Sequence, residues 1–146
     1  MFRKILKLVN VRLLICGILY VLKRNRLAAS RKISANMDFA LHRRALEHFN
    51  RGEFFDAHEV WEDVWRASSG PEKRYLQGLI QVAVALHHHS RGNLAGARSL
   101  LRRAAHNLTH CPAGFGGIDL AGLRSALEAW QESLAEGQVA PPPPKL

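Results

Sequence analysis

From Met37 onward, apolar side chains recur every three or four residues, which is the spacing of one face of an α-helix. The first predicted helix begins after Asp38, whose side chain suits an N-cap, and ends at Gly52, which suits the left-handed residue after a helix. Its predicted inner face consists of Leu41, Ala45, Leu46 and Phe49. Alternation of apolar and polar residues, the pattern of a half-buried strand, is not seen. We therefore expect an all-α fold.

Four more helices follow by the same criterion, over residues 53–67, 71–90, 94–108 and 120–136. Pro71 favours a helix start because the first turn does not use the N–H group that proline lacks. Asp119 suits the N-cap of the last helix. The third helix carries apolar residues on nearly every side, so we expect it to be the central and most buried element.

A short pattern, Arg-Gly-x-x-x-x-Ala, occurs at residues 51–57 and again at residues 91–97. In both places a glycine ends one helix, and a small residue in the next helix allows close packing. We interpret the pattern as two helix-turn-helix hairpins packed as a bundle, with the fifth helix as a C-terminal cap. The alternative is that the pattern recurs by chance.

Two segments flank this helical domain of residues 37–136. Residues 1–36 form a leader in which basic residues surround an apolar run of ten residues, 13–22. Such a run is about 15 Å long as a helix, half the thickness of a bilayer core. The leader is either an interfacial membrane anchor, an uncleaved signal-anchor, or no part of the native protein, in which case Met37 is the true start. Residues 137–146 contain four consecutive prolines and are expected to be disordered.

The charge of the chain is concentrated in that leader. The net charge is +9, but residues 1–36 hold nine Lys or Arg residues and no Asp or Glu. Residues 37–146 are neutral, with twelve basic and twelve acidic residues. We therefore expect no nucleic acid on the folded domain, and membrane contact only through the leader. Other partners and a homo-oligomer stay open. Two cysteines provide no disulfide framework, and we expect a cytoplasmic protein, or alternatively a membrane-associated one.

Three motifs carry a resemblance to a known family. They are Phe49-Asn50-Arg51-Gly52-Glu53-Phe54-Phe55-Asp56-Ala57-His58-Glu59-Val60-Trp61-Glu62-Asp63-Val64-Trp65-Arg66, then Gln77-Gly78-Leu79-Ile80-Gln81-Val82-Ala83-Val84-Ala85-Leu86-His87-His88, then Arg91-Gly92-Asn93 with Gly96-Ala97 and Leu100-Leu101. Over roughly residues 37–135 the chain resembles the bacterial and archaeal family called domain of unknown function 309. The resemblance implies an all-helical fold, and it implies no particular activity.

The second and third helices carry the candidate binding pocket. His58 and Glu62 are four residues apart and share a face with Trp65, so a histidine and a carboxylate lie among large rings. Gln81 and His88 share a face of the next helix, and antiparallel packing would bring them opposite. Glu59 points about 100° away from His58, toward an adjacent face or solvent. The predicted pocket therefore consists of His58, Glu59, Glu62, Trp65, Gln81 and His88.

Three functions are compatible with this pattern. The first is a binding or structural module in which a buried network of His and Glu side chains sets the register of the helices. The second is a metal-dependent, hydrolase-like enzyme with His58, Glu62 and His88 as ligands of a divalent cation, since the spelling His-Glu-x-x-Glu is close to that of a zinc-protease helix. The third is a peptide-binding helical-hairpin module. Whether the protein is an enzyme stays open.

The run from His87 to His89 does not by itself indicate a metal site. Consecutive residues of a helix point about 100° apart, so three neighbouring histidines cannot all ligate one ion.

Overall fold

The computed structural model describes residues 37–146, and the interpretations of residues 1–36 concern residues outside this range. The described part consists of helices, one short 3-10 turn and connecting loops, without strands. The helices are α1 (Phe39–Arg51), α2 (Phe54–Ala67), α3 (Gly70–Ser90), α4 (Leu94–Thr109) and α5 (Leu120–Glu136), and the 3-10 turn is Phe115–Gly117. The predicted all-α class with five helices is confirmed. None of the described helices combines the length and the apolar character needed to cross a bilayer.

The predicted capping residues carry out their expected roles at both ends of the domain. The Asp38 carboxylate accepts hydrogen bonds from the N–H groups of Ala40 and Leu41 at 3.0 and 3.1 Å. Asp119 does the same for Ala121 and Gly122 at the start of α5. Each cap satisfies two of the four N–H groups that a helix start leaves unpaired, which typically contributes about 1 kcal/mol.

The two predicted hairpin turns share the conformation of their glycine and the hydrogen bond that it donates. Gly52 and Gly92 both adopt the left-handed conformation, with φ of 84° and 77°. Their N–H groups donate to the carbonyls of Phe49 and His89, three residues earlier, at 3.0 and 2.9 Å. The alanine of each pattern, Ala57 or Ala97, is fully buried. The interpretation as a repeated hairpin turn is therefore confirmed.

The third helix is the centre of the bundle, as its composition predicts. Consecutive helices pack against each other from α1 to α5, so α3 has α2 on one side and α4 on the other. Ten of its 21 residues are buried. Gly78 brings α3 and α4 close together, because a Cβ atom there would lie 2.6 Å from Cγ of Leu108.

The proline segment after α5 has no regular secondary structure and lies against the domain. The Trp130 indole donates to the carbonyl oxygen of Pro142 at 3.3 Å. The Asn50 side chain makes two bonds to the backbone of Leu146, of 2.7 and 2.9 Å. The disorder of residues 137–146 in solution stays a prediction.

Gly78→Ala is expected to destabilise the domain. The added methyl group overlaps the buried Leu108 side chain, and overpacking of this kind costs about 1 to 3 kcal/mol. The better helix propensity of alanine offsets about 1 kcal/mol. Urea unfolding of the single variants and of the double variant with Leu108→Ala tests the contact: Leu108→Ala should cost less in the Gly78→Ala background. Additive effects, or a net gain from Gly78→Ala, would contradict it.

Candidate functional site

A buried histidine joins four segments of the fold. His42 of α1 is 2% exposed. Its Nδ1 lies 3.0 Å from the indole nitrogen of Trp61 in α2, and its Nε2 lies 3.1 Å from the carbonyl oxygen of Gly116 and 3.3 Å from the hydroxyl of Tyr75 in α3. A buried polar network centred on a histidine, which the sequence led us to expect, is confirmed. Its histidine, however, is His42 and not His58.

The partners of His42 determine where its proton lies. An indole N–H can donate but not accept, so Nδ1 must be the acceptor from Trp61. The proton of the neutral ring therefore lies on Nε2, which donates to the Gly116 carbonyl oxygen. Burial lowers the pKa of His42 below its ordinary value, and the Gly116 bond opposes that shift. A second proton would face the indole N–H, so the network requires the neutral ring.

Sequence reasoning missed His42, although its spacing contained the signal. It precedes Ala45 by three residues and Phe49 by seven, which places it on the buried face of α1. The predicted inner face instead included Leu41 and Leu46, which are half-buried. Gly116 had no local signal for this role, because its carbonyl reaches His42 across 74 residues of sequence.

His58 of the predicted pocket is half-buried on α2. Its Nδ1 is bonded to the carbonyl oxygen of Phe55 one turn earlier. A carbonyl only accepts, so Nδ1 carries the proton and Nε2 of the neutral ring keeps a lone pair. The Phe55 ring packs edge-on against His58 at 4.6 Å between centroids and lies 5.5 Å from the ring of His87.

Glu62 is not a buried carboxylate. Its side chain is 40% exposed and pairs with Arg66 of the same helix at 3.0 Å, while Glu59 is exposed. The glutamate that the fold buries is Glu72, at 4% exposure, whose Oε1 lies 2.6 Å from the hydroxyl of Ser68. The partner of the Glu62 carboxylate is therefore an arginine one turn away on the same helix.

Trp65 is the unsatisfied member of the predicted pocket. Its indole N–H is buried and has no hydrogen-bond acceptor among residues 37–146. The ammonium group of Lys73, from α3, lies 4.1 Å from the centroid of the Trp65 ring. A cation over an aromatic face is favourable, by about 0.5 to 1 kcal/mol at an exposed site, but it supplies no acceptor for the N–H group.

Gln81 and His88 have partners on the side of α3 that faces α4. The Gln81 carbonyl oxygen accepts from the Asn107 side chain at 2.9 Å. His88 lies 3.1 Å from the side chain of Asn93, the N-cap of α4. Across the part of the chain that the structure describes, no hydrogen bond joins either residue to His58 or Glu62, and the pocket of these residues stays a prediction.

The three consecutive histidines contact three different elements. His87 lies beside Phe55 of α2, His88 beside Asn93, and the ring of His89 packs edge-on against Trp130 of α5 at 4.9 Å. The three side chains therefore point in different directions, as expected of consecutive residues on a helix, and it is His87 that faces α2.

His48 and His88 occupy equivalent positions in the repeated Arg-Gly-x-x-x-x-Ala turns. His48 lies four residues before Gly52, as His88 lies four residues before Gly92, and its Nδ1 is 2.6 Å from Oε2 of Glu53. In both turns the histidine side chain therefore contacts the residue after the glycine. With Asp56, His48 and Glu53 form the group of possible metal ligands whose atoms lie within 4.8 Å in the described residues.

The neutral state of His42 predicts a pH dependence of stability. The unfolded chain takes up a proton near pH 6.5, whereas the folded form does so only at lower pH. Its contribution to stability is therefore complete above pH 6.5 and decreases as the pH falls, by up to about 1.4 kcal/mol per pH unit. We expect urea unfolding at pH 7.5 and 5.5 to show a smaller loss for His42→Gln than for the unsubstituted chain. Tyr75→Phe retains His42 and should retain the full loss; equal losses in all three proteins would contradict the assignment.

The chain is similar to a protein family model and to two uncharacterized bacterial proteins. The family model described as "Domain of unknown function (DUF309)" matches residues 42–100. An uncharacterized protein of Aquifex aeolicus (strain VF5) is 33% identical over 132 residues, which cover 87% of this chain and 39% of that protein. The uncharacterized protein YpuF of Bacillus subtilis (strain 168) is 46% identical over 50 residues, 34% of this chain and 29% of that protein. The chain thus spans well under half the length of these relatives. The resemblance seen in the sequence is confirmed over residues 42–100, which match the DUF309 family model.

Proposed function

We propose that the domain is a binding module whose ligand carries a carboxylate and contacts Trp65 and Lys73. The observation that carries the proposal is the indole N–H of Trp65, which is buried without an acceptor in the described residues. Leaving such a donor unpaired costs about 1 to 3 kcal/mol. A ligand oxygen that accepts this hydrogen bond recovers that free energy on binding.

The charges beside Trp65 favour an anionic oxygen. Lys73 supplies a positive charge 4.1 Å from the centre of the Trp65 ring. Arg66 forms ion pairs with two carboxylates that precede Trp65 on α2, Glu62 at 3.0 Å and Asp63 at 2.8 Å. An anion at Trp65 therefore meets the Lys73 ammonium group, while these two carboxylates already have a cationic partner in Arg66. A hydrogen bond from the indole to a charged oxygen is also stronger than one to a neutral oxygen.

The three tryptophans of the chain allow a direct test by NMR. Trp61 donates to His42 and Trp130 to Pro142, so the three indole N–H groups lie in three different environments. We expect sodium benzoate to shift the Trp65 indole cross-peak saturably and to leave that of Trp61 in place. Benzyl alcohol, which has the ring without the charge, should have no effect. Lys73→Gln should weaken benzoate binding about twofold to fivefold, because an exposed ion pair contributes about 0.5 to 1 kcal/mol.

The matched control is Lys145→Gln, which removes the other lysine of residues 37–146 and should leave the affinity unchanged. If benzoate shifts no indole peak, or benzyl alcohol shifts that of Trp65 equally, the carboxylate site is refuted.

As part of the same proposal, the protein acts in the cytoplasm.

A metal-dependent enzyme is the second candidate, and the tautomer of His58 favours it. Histidine ligands of metals commonly donate their other ring N–H to a carbonyl, as His58 does to Phe55. Nε2 of His58 and the carboxylate of Glu62, one turn later on α2, would be the two ligands from this helix. A bound divalent cation would supply Lewis acidity or an activated water. The third predicted ligand, His88, is bonded to Asn93 and would have to leave that partner.

Metal analysis tests the second candidate without an assay of activity. The full chain, purified without a histidine tag, should contain a stoichiometric transition metal by plasma mass spectrometry, and His58→Ala should lose it. His89→Ala is the matched control, because His89 packs against Trp130 and not against α2. A metal-free protein, or equal retention in both variants, would exclude the His58 site.

A further inference from the structure

The groove between α3 and α4 has a lining without any carboxylate. It has a volume of about 450 Å³. The residues that line it all carry groups able to donate a hydrogen bond: Gln81, Ser99, Arg102, Arg103, His106 and Asn107. Three of them carry or can carry a positive charge. The groove therefore has the chemistry of an anion site.

The arginines of this groove are not committed to partners within the domain. The ion pairs of residues 37–146 involve Arg66 and His48, and neither Arg102 nor Arg103 takes part in one. Both side chains are exposed. The surrounding sequence explains why, since no Asp or Glu lies between Glu72 and Asp119. Two guanidinium groups beside each other on one helix are thus available to a ligand.

The floor of the groove adds neutral donors. Asn107 donates to the side-chain oxygen of Gln81 at 2.9 Å. That bond uses an acceptor of Gln81 and leaves its NH2 group without a partner in the described structure. The half-buried hydroxyl of Ser99 is a further donor. Together with the arginines these groups can bond several oxygens of one ligand.

The neighbouring groove between α4 and α5 provides an internal comparison. It is smaller, about 280 Å³, and shares Arg102, but its lining includes the carboxylate of Glu132 beside Arg98. A built-in carboxylate competes with an external anion for the arginines. The α3–α4 groove is therefore the one that suits an anionic ligand.

We propose that the α3–α4 groove binds the phosphate group of a small phosphate ester. A phosphate monoester carries about 1.5 to 2 negative charges and three acceptor oxygens, which match two arginines and adjacent neutral donors. The groove volume lies within the range of small-molecule sites, about 300 to 1,000 Å³, and leaves room for an organic group beside the phosphate. The neutral charge balance of residues 37–146 favours a small ligand over a nucleic acid.

Titration of the full chain with adenosine 5′-monophosphate, followed by two-dimensional NMR, tests the proposal. We expect saturable one-to-one binding that shifts the side-chain NH2 signals of Gln81 and Asn107, and no binding of adenosine. Arg103→Gln should weaken the affinity about tenfold, which corresponds to about 1.4 kcal/mol. Arg98→Gln is the matched control: it removes the same charge from the same helix but lines the other groove, and should change the affinity less than twofold. Both side chains are exposed, and thermal unfolding verifies that each variant is folded.

In addition to one result with inorganic phosphate, four results would overturn the proposal. They are the absence of saturation, binding of adenosine equal to that of its monophosphate, an equal loss in Arg98→Gln and Arg103→Gln, and tighter binding of a single-stranded oligonucleotide than of the monophosphate. The third would mean diffuse attraction to a basic helix, and the fourth a nucleic-acid surface. Inorganic phosphate separates the ester from the free anion: equal affinity for both would refute the ester, and weaker binding of inorganic phosphate would support it.

Discussion

The hydrogen bond from the Trp61 indole to His42 constrains the position of every element around it. The indole can only donate, so the histidine must present a lone pair at Nδ1 and its proton at Nε2. The Nε2–H group then donates a hydrogen bond to the Gly116 carbonyl oxygen, which connects the loop before α5 to α1. Position 116 requires a glycine, because its φ is 66° and a Cβ atom there would overlap the Tyr75 hydroxyl. One neutral imidazole thus joins α1, α2, α3 and the loop, and a buried donor or acceptor left unpaired at any of these positions would cost about 1 to 3 kcal/mol.

The central helix separates two surfaces of different chemistry. On its α2 side, Lys73 and His87 accompany the aromatic and acidic residues of α2, including Trp65 with its unpaired donor. On its α4 side, Gln81 accompanies the arginines of an acid-free stretch. Because residues three or four apart on a helix share a face while neighbours do not, one helix serves both surfaces. The near-zero net charge of the described residues therefore conceals an acidic α2 and a basic α4.

How far the site follows from the sequence depends on the range of the interaction that each residue makes. His58, Glu62 and Trp65 lie on one helix, so their common face could be read from their spacing. The exposure of Glu62 could not be read from spacing, since it depends on what packs over the helix. Glu62 is partly exposed and pairs with Arg66 at the next turn. His88 was expected opposite His58, but its partner is Asn93 and the histidine beside Phe55 is His87. An error of one residue rotates a side chain by about 100°, which is enough to move it from one groove to the other.

By itself, the sequence determined the local structure: the five helices, the aspartate caps and the two glycine turns. Each depends on residues within about four positions of each other, and their preferences act before any tertiary contact forms. Only the tertiary structure decided which polar groups are buried and with whom they bond. His42 meets Trp61 19 residues away and Gly116 74 residues away, and Gln81 meets Asn107 26 residues away. Such pairs follow from the packing of whole helices, because burying a polar group is favourable only where a distant partner arrives at hydrogen-bond distance.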